Sequence, residues 1–287
     1  MNWKTIGFNR LKKYFTKALK GDLSANSFLF YGQEMIGKRT FAMELAGISG
    51  DYQKQINQDV MLVDSSSSES GQSISIDEVR KIKQFLSLRP MGGEHKFVII
   101  DDAHKMQEPA QNALLKIVEE PPAYAIIMLV SHRPDSLLPT INSRCQKMYF
   151  PTPGKEEIKK VIASCAGELN NEQIDFLADF SSGRTGLILK IFDNDSFKEI
   201  KPAAEQFYKL EKMPIAERLQ FSAKMADAKQ SDKLDKLTLY WLLYLRPKAK
   251  ADPRIAKVVK NLLDLKYALG QPQYNHRLAL DNFLIGL

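Results

Sequence analysis

Cysteine is nearly absent from this sequence: Cys145 and Cys165 are the only two in 287 residues. Two thiols without a Cys-x-x-Cys spacing cannot close a four-ligand zinc site unless histidines help, so no structural zinc is expected. Cys165 reads as a packed core thiol. No run of roughly 18 apolar residues occurs, which excludes a membrane-spanning helix. Residues 1–21 are basic and amphipathic and lack the apolar centre of a signal peptide, so a cytoplasmic protein is expected. There is no internal repeat. Acidic residues are outnumbered, giving a formal net charge of +7. That excess fits a solubilising surface or attraction to nucleic acid, and charge alone does not choose between them.

What is present is organised around residues 96–145. Phe97 to Ile100 is an apolar run that stops at two carboxylates, Asp101 and Asp102, as a buried parallel strand does when it ends at a site. From Gln107 to Val118 the spacing becomes helical, with Ala110, Ala113, Leu114, Ile117 and Val118 on one face, and Pro121-Pro122 stop the helix. Ile126 to Val130 is a second buried strand, ending at Ser131. Strand, helix and strand with polar groups at the strand ends is the layout of an α/β nucleotide site. Upstream, the strand Phe28 to Tyr31 runs into Gly32-Gln-Glu-Met-Ile-Gly37-Lys38-Arg39-Thr40 and then a helix. That context is what a phosphate loop requires: glycines let backbone N–H groups curl round phosphates, Lys38 adds a point charge, and the helix N-terminus adds its dipole.

The loop departs from the motif at one position. Ser or Thr should follow the lysine to ligate magnesium, but Arg39 is there and Thr40 comes one residue late. One residue on a helix is a rotation of about 100°, which turns Thr40 away from the metal. Two readings stand: a nucleotide loop with weakened magnesium chemistry, or a vestigial loop that binds nothing.

The helix at Asn112 to Pro122 and the triplet Ser143-Arg144-Cys145 resemble the signature helix and arginine-finger triplet of AAA+ clamp-loader subunits. The likeness is greatest to the delta-prime type of bacterial DNA polymerase III. It covers nearly the whole chain, more weakly beyond residue 200. It implies a RecA-like α/β domain over residues 1–150, a helical lid over 151–197 and a helical collar over 198–287. The break at Pro151-Thr-Pro153 supports the first boundary. Relatives often carry a four-cysteine zinc module before the second strand; residues 50–58 are short and cysteine-free.

The resemblance also assigns roles. Gly32, Gly37, Lys38, Arg39, Thr40, Asp101, Asp102 and Ser131 form the nucleotide site, for ATP or ADP with magnesium weakly held or absent. An active member has glutamate where this chain has Asp102, and positioning errors of about 1 Å can cost on the order of a hundredfold. Aligned on Gly183, the sensor-2 arginine slot holds Gly186, while Arg184 sits two residues early. Arg144 would be catalytic in trans, towards the ATP of a neighbour; its alternative is a salt bridge within its own domain. Arg80 and Lys83, on one face of a helix capped by Asp77 in a region that Lys81 and Lys96 also leave basic, are candidates for DNA phosphate contacts or simply a solvated face. Ser131 is a γ-phosphate sensor or the cap of the Ser-His-Arg-Pro turn. His104 is a structural position, and no metal-ligand set is assigned.

The function implied is a largely structural clamp-loader subunit. Its partners would be motor and delta-type subunits, the sliding clamp and primed DNA. The alternatives are a gamma/tau-type ATPase motor and a solitary AAA+ ATPase.

Overall fold

The protein is described from a computed structural model covering residues 3, 5–19, 21, 24–48, 58–65, 73–165, 169, 171–193, 197–225, 231–246, 248–269 and 274–287. Residues 50–57 and 66–72, which hold most of the shortened segment and of the Ser/Gly-rich stretch 65–75 whose composition leads one to expect a loop, lie outside the described residues. The chain divides into two compact units: residues 1–157 with 184–186, and residues 158–183 with 187–287.

The first unit opens with α1 (Asn9–Ala18), then β1 (Ser27–Tyr31) and α2 (Lys38–Leu45). It continues through β2 (Val60–Val63), α3 (Ile76–Leu86) and β3 (Lys96–Ile100). A 3-10 turn (Ala103–Lys105), α4 (Glu108–Glu119) and β4 (Ala125–Ser131) follow. Last come α5 (Pro139–Arg144) and β5 (Gln146–Tyr149). The strands form one sheet in the order β2-β3-β4-β1-β5, with every adjacent pair parallel.

Side chains alternate across a strand, and that period of two splits the unit's core. Leu29, Val98, Ile100, Ile127 and Leu129 face one way and pack with α3, α4 and α5. Phe28, Phe30, Ile99, Met128 and Val130 face the other way, against α1 and α2. There Phe15, Phe30, Phe41 and Phe150 meet edge-on or tilted at centroid separations of 5.1–5.9 Å. Both faces are covered, which is why the strands read as unbroken apolar runs rather than as alternating ones.

Because all five strands are parallel, their C-terminal ends lie along one edge. The register sets Tyr31 level with Ser131, Ile100 with Leu129, and Val63 with Ile100. The loops beyond Tyr31, Val63, Ile100 and Ser131 therefore gather at one place, where open α/β sheets bind their ligands.

The second unit is helical among the described residues. It comprises α6 (Lys155–Cys165, from Ile158 onward), α7 (Asn171–Ser181), α8 (Thr185–Asp193, from Leu187 onward) and α9 (Phe197–Lys212). Then come α10 (Ile215–Met225), α11 (Ser231–Leu245), α12 (Pro253–Leu269) and α13 (His276–Ile285). Trp241 is wholly buried; its indole N–H donates to the Ala203 carbonyl at 2.9 Å and its ring neighbours Phe207 and Phe283. No helix among the described residues is long and apolar enough to cross a membrane.

Three local expectations are corrected. Ser75, not Asp77, caps α3: its backbone N–H donates to Glu78 at 2.7 Å in a capping box. Lys96 is not part of a basic surface, because it is buried and donates to the Phe85 carbonyl at 2.9 Å. Cys165 is exposed rather than packed, since α6 ends on it and buries Ile158, Val161 and Ile162 one turn earlier; Cys145 is the buried thiol.

Candidate nucleotide site

The phosphate loop forms where expected, between β1 and α2. Gly32 has φ of +145°, and a Cβ there would lie 2.4 Å from the Phe150 carbonyl oxygen. Only glycine lets the loop pass so close to the end of β5. Gly37 caps α2 in the left-handed region. Lys38 is buried and curls back, donating to the carbonyls of Gly32 at 2.9 Å and Gln33 at 2.6 Å. Burial lowers its pKa to about 8, against the pull of Asp101, Glu34 and Asp102.

Arg39 occupies the place of the magnesium ligand in the motif. One guanidinium nitrogen lies 3.2 Å from Asp101 Oδ2 and 3.3 Å from Asp64 Oδ2. The first residue after β2 and the first after β3 thus share one fixed cation, while Thr40 is exposed. Burial raises the Asp101 pKa and the Arg39 charge opposes that rise. These residues do not fit a magnesium ion held by Asp101, because an arginine already neutralises that carboxylate.

Asp102 has its carboxylate engaged within its own turn. Its backbone is left-handed, with φ of 49°, and its carboxylate accepts from Lys105 Nζ at 2.8 Å. Burial pushes its pKa up, but the Lys105 bond and charge, with His104 and His132 nearby, bring it below the ordinary carboxylate value. Ser131 is buried; its hydroxyl accepts from the Arg133 backbone N–H at 3.0 Å and lies 3.4 Å from His104 Nδ1. Its bond to Arg133 caps the Ser-His-Arg-Pro turn. His104 and His132 meet edge-on at 4.2 Å. Burial lowers both: His104, with His132 adding to the fall against the pull of Asp102, goes to about 4, and His132 falls although Glu34 and Asp102 oppose it.

Gly186 closes the loop from the far side of the sequence. Its N–H donates to the Met35 carbonyl at 2.7 Å, and a Cβ there would sit 3.0 Å from that oxygen. An arginine in this slot would push against the phosphate loop. Arg144 lies elsewhere, at the C-terminal end of α5 and before β5. It donates to Glu119 Oε1 at 2.8 Å and to the Thr140 carbonyl at 3.2 Å. Ser143 and Arg144 therefore end α5, and Arg144 makes an ion pair with Glu119, the last residue of α4. Arg80 is exposed and pairs with Asp77 at 2.8 Å; Lys83 is exposed one turn further on.

The structure thus brings together Gly32, Gly37, Lys38, Arg39, Asp101, Asp102 and Ser131, and leaves Thr40, Arg80, Lys83 and Arg144 outside that cluster. Asp64, Lys105, His132 and Glu119 were missed as site residues. Asp64 had a signal, because it ends an apolar run as Asp101 does.

The profile of the family described as "DNA polymerase III, delta subunit" matches residues 7–154, about half of the chain. The chain belongs to that family. It is 30% identical over 176 residues to DNA polymerase III subunit delta' of Pseudomonas aeruginosa, covering 55% of this chain and 53% of that one. It is 32% identical over 128 residues to the Escherichia coli subunit delta', covering 44% and 37%. It is 26% identical over 210 residues to subunit tau of Bacillus subtilis, covering 66% and 36%. These alignments span about half or less of the relatives' length. A gamma subunit-related protein of Thermotoga maritima has the same fold, with a TM-score of 0.53 and 21% identity over 96% of both chains. The family and the observed sheet give an α/β AAA+ domain followed by a helical C-terminal part.

Proposed function

We propose that this protein is a largely structural clamp-loader subunit of the replicative DNA polymerase III holoenzyme. In this reading it assembles with motor and delta-type subunits, helps load the sliding clamp on primed DNA in the cytoplasm, and presents Arg144 to the ATP of a neighbouring motor. The three-part organisation at residues 150 and 197 belongs to the proposal, with the last part serving assembly.

The Arg39 guanidinium bound to both Asp101 and Asp64 is the observation that carries it. Phosphoryl transfer in this class relies on metal and positioned charge. A site whose metal-ordering carboxylate is held by an arginine keeps a phosphate cradle without the magnesium. ATP or ADP binding with little or no magnesium is the corresponding expectation, and intrinsic hydrolysis would be weak or absent. Asp102 engaged by Lys105, and Gly186 against the loop, support the same conclusion.

Arg144 is held by an exposed ion pair, and such pairs contribute about 0–1 kcal/mol. Exchanging Glu119 for a γ-phosphate therefore costs little. The guanidinium keeps its charge and offers paired donors to phosphate oxygens. An arginine finger adds about 10³ to 10⁵ in rate. A gamma/tau-type motor is the second reading, favoured by the longer alignment to subunit tau. ATP turnover by the purified chain separates the two: the structural subunit gives none above background, and the motor turns over unaided.

A further inference from the structure

We propose that Asp102, His104 and His132 form a binding site for a first-row divalent transition cation of the zinc type. One ligand atom from each side chain lies within 4.8 Å of the others. A tetrahedral zinc ion with bonds of about 2.0–2.2 Å holds its ligands roughly 3.4 Å apart, so modest side-chain rotation closes the set. Two imidazoles and one carboxylate, with a fourth position left for water or another oxygen donor, is a recognised ligand count for zinc. Imidazole ligands select such ions against magnesium, which takes oxygen donors. The site is therefore distinct in its chemistry from the magnesium position that Arg39 fills. The earlier expectation of no zinc rested on cysteine and did not reach this set.

The sheet builds the cluster. Strands β3 and β4 are parallel neighbours with Ile100 level with Leu129, so Asp102 comes level with Ser131 and His132 follows it. The left-handed turn at Asp102 begins the 3-10 turn that carries His104. Ser131 Oγ, 3.4 Å from His104 Nδ1, supplies an outer partner of the kind that holds a ligating ring in place. Lys105 Nζ now sits 2.8 Å from Asp102 Oδ2, with Ser65 Oγ 3.3 Å away as another partner. The ammonium and the metal would compete for the same carboxylate.

The test uses the full chain carrying Cys165→Ser, which removes the exposed thiol as a zinc trap, after chelator treatment and with magnesium in excess. Zinc is titrated in competition with a chromophoric chelator, and cobalt(II) is used as a coordination probe. The expected result is saturable binding of one ion per chain, with the visible bands of four-coordinate cobalt. His104→Asn and His132→Asn should each weaken zinc at least tenfold, since even losing an outer partner costs about 10–100-fold. Lys105→Gln should tighten zinc several-fold, a gain that misfolding cannot produce. Equal affinity in the parent and in the His104→Asn/His132→Asn double variant would overturn the proposal, as would Lys105→Gln that leaves affinity unchanged.

Discussion

Arg39→Ala would remove a cation that lies within 3.3 Å of both Asp64 and Asp101. The arginine side chain is 42% exposed and the aspartates 18% and 17%, so the pairs stand between the surface and buried limits. Surface pairs contribute about 0–1 kcal/mol, and removing one partner of a buried pair costs about 3–5 kcal/mol. A loss of about 1–3 kcal/mol near neutral pH follows for two shared pairs at this exposure. The pH dependence has a definite sign. Burial already lifts the folded Asp101 pKa above its ordinary value of 3.8, and Arg39 opposes the lift. Without Arg39 the folded pKa rises further, so the variant's deficit is full at neutral pH and shrinks as pH falls towards the unfolded value. Urea unfolding near neutral pH and near pH 4, with hydrogen exchange of the β3 amides locating the transition in the first unit, measures this. Magnesium should restore part of the variant's stability, because Asp64 and Asp101 then lose the cation they share. It should leave the parent unchanged. Equal magnesium stabilisation of both proteins, or a deficit independent of pH, would refute the view that Arg39 takes the metal's place.

Three further outcomes follow from the same geometry. Lys38 has its pKa lowered from 10.5 to about 8, so the folded state binds fewer protons between those values and stability rises with pH across that window. Lys38→Met should flatten that rise in urea titrations. Gly186→Arg should not restore a sensor: its Cβ would meet the Met35 carbonyl oxygen at 3.0 Å, and a melting curve should show a loss of about 1–3 kcal/mol. Of the thiols, Cys165 should alkylate readily in the folded protein. Cys145, buried and with its pKa pushed up to about 12, should react only on unfolding, as intact-mass spectra before and after denaturation would show.

The parts legible in the sequence were those written in local pattern. Phe28 to Tyr31, Phe97 to Ile100 and Ile126 to Val130 are apolar runs because both faces of a parallel strand are buried, and each was read as a strand. The phosphate loop was legible because its glycines answer a backbone requirement at fixed spacing. The strand β5 was not foreseen, because at this edge Met148 is its one buried residue and Gln146-Lys147 gives no apolar run. Helix α5 was missed because six residues beginning at a proline carry too little periodicity. The Arg39–Asp64 pair and the His104–His132 contact depend on which strands lie side by side, and neither adjacency is written in local spacing. Cys165 was misread because its place in the helical period points inward, while the helix ends on it and leaves it in solvent.

The central claim is that this chain works on a neighbour's ATP and not on its own. The direct measurement is the clamp-stimulated ATPase of the complex reconstituted with its motor and delta-type partners, comparing Arg144→Ala with Lys38→Ala in this chain alone. Arg144→Ala should fold and assemble normally, as exposed substitutions usually do, and lower the rate by the share of one motor site. Lys38→Ala should leave the rate nearly unchanged. Loss of turnover with Lys38→Ala and a silent Arg144→Ala would make this chain a motor and contradict the account.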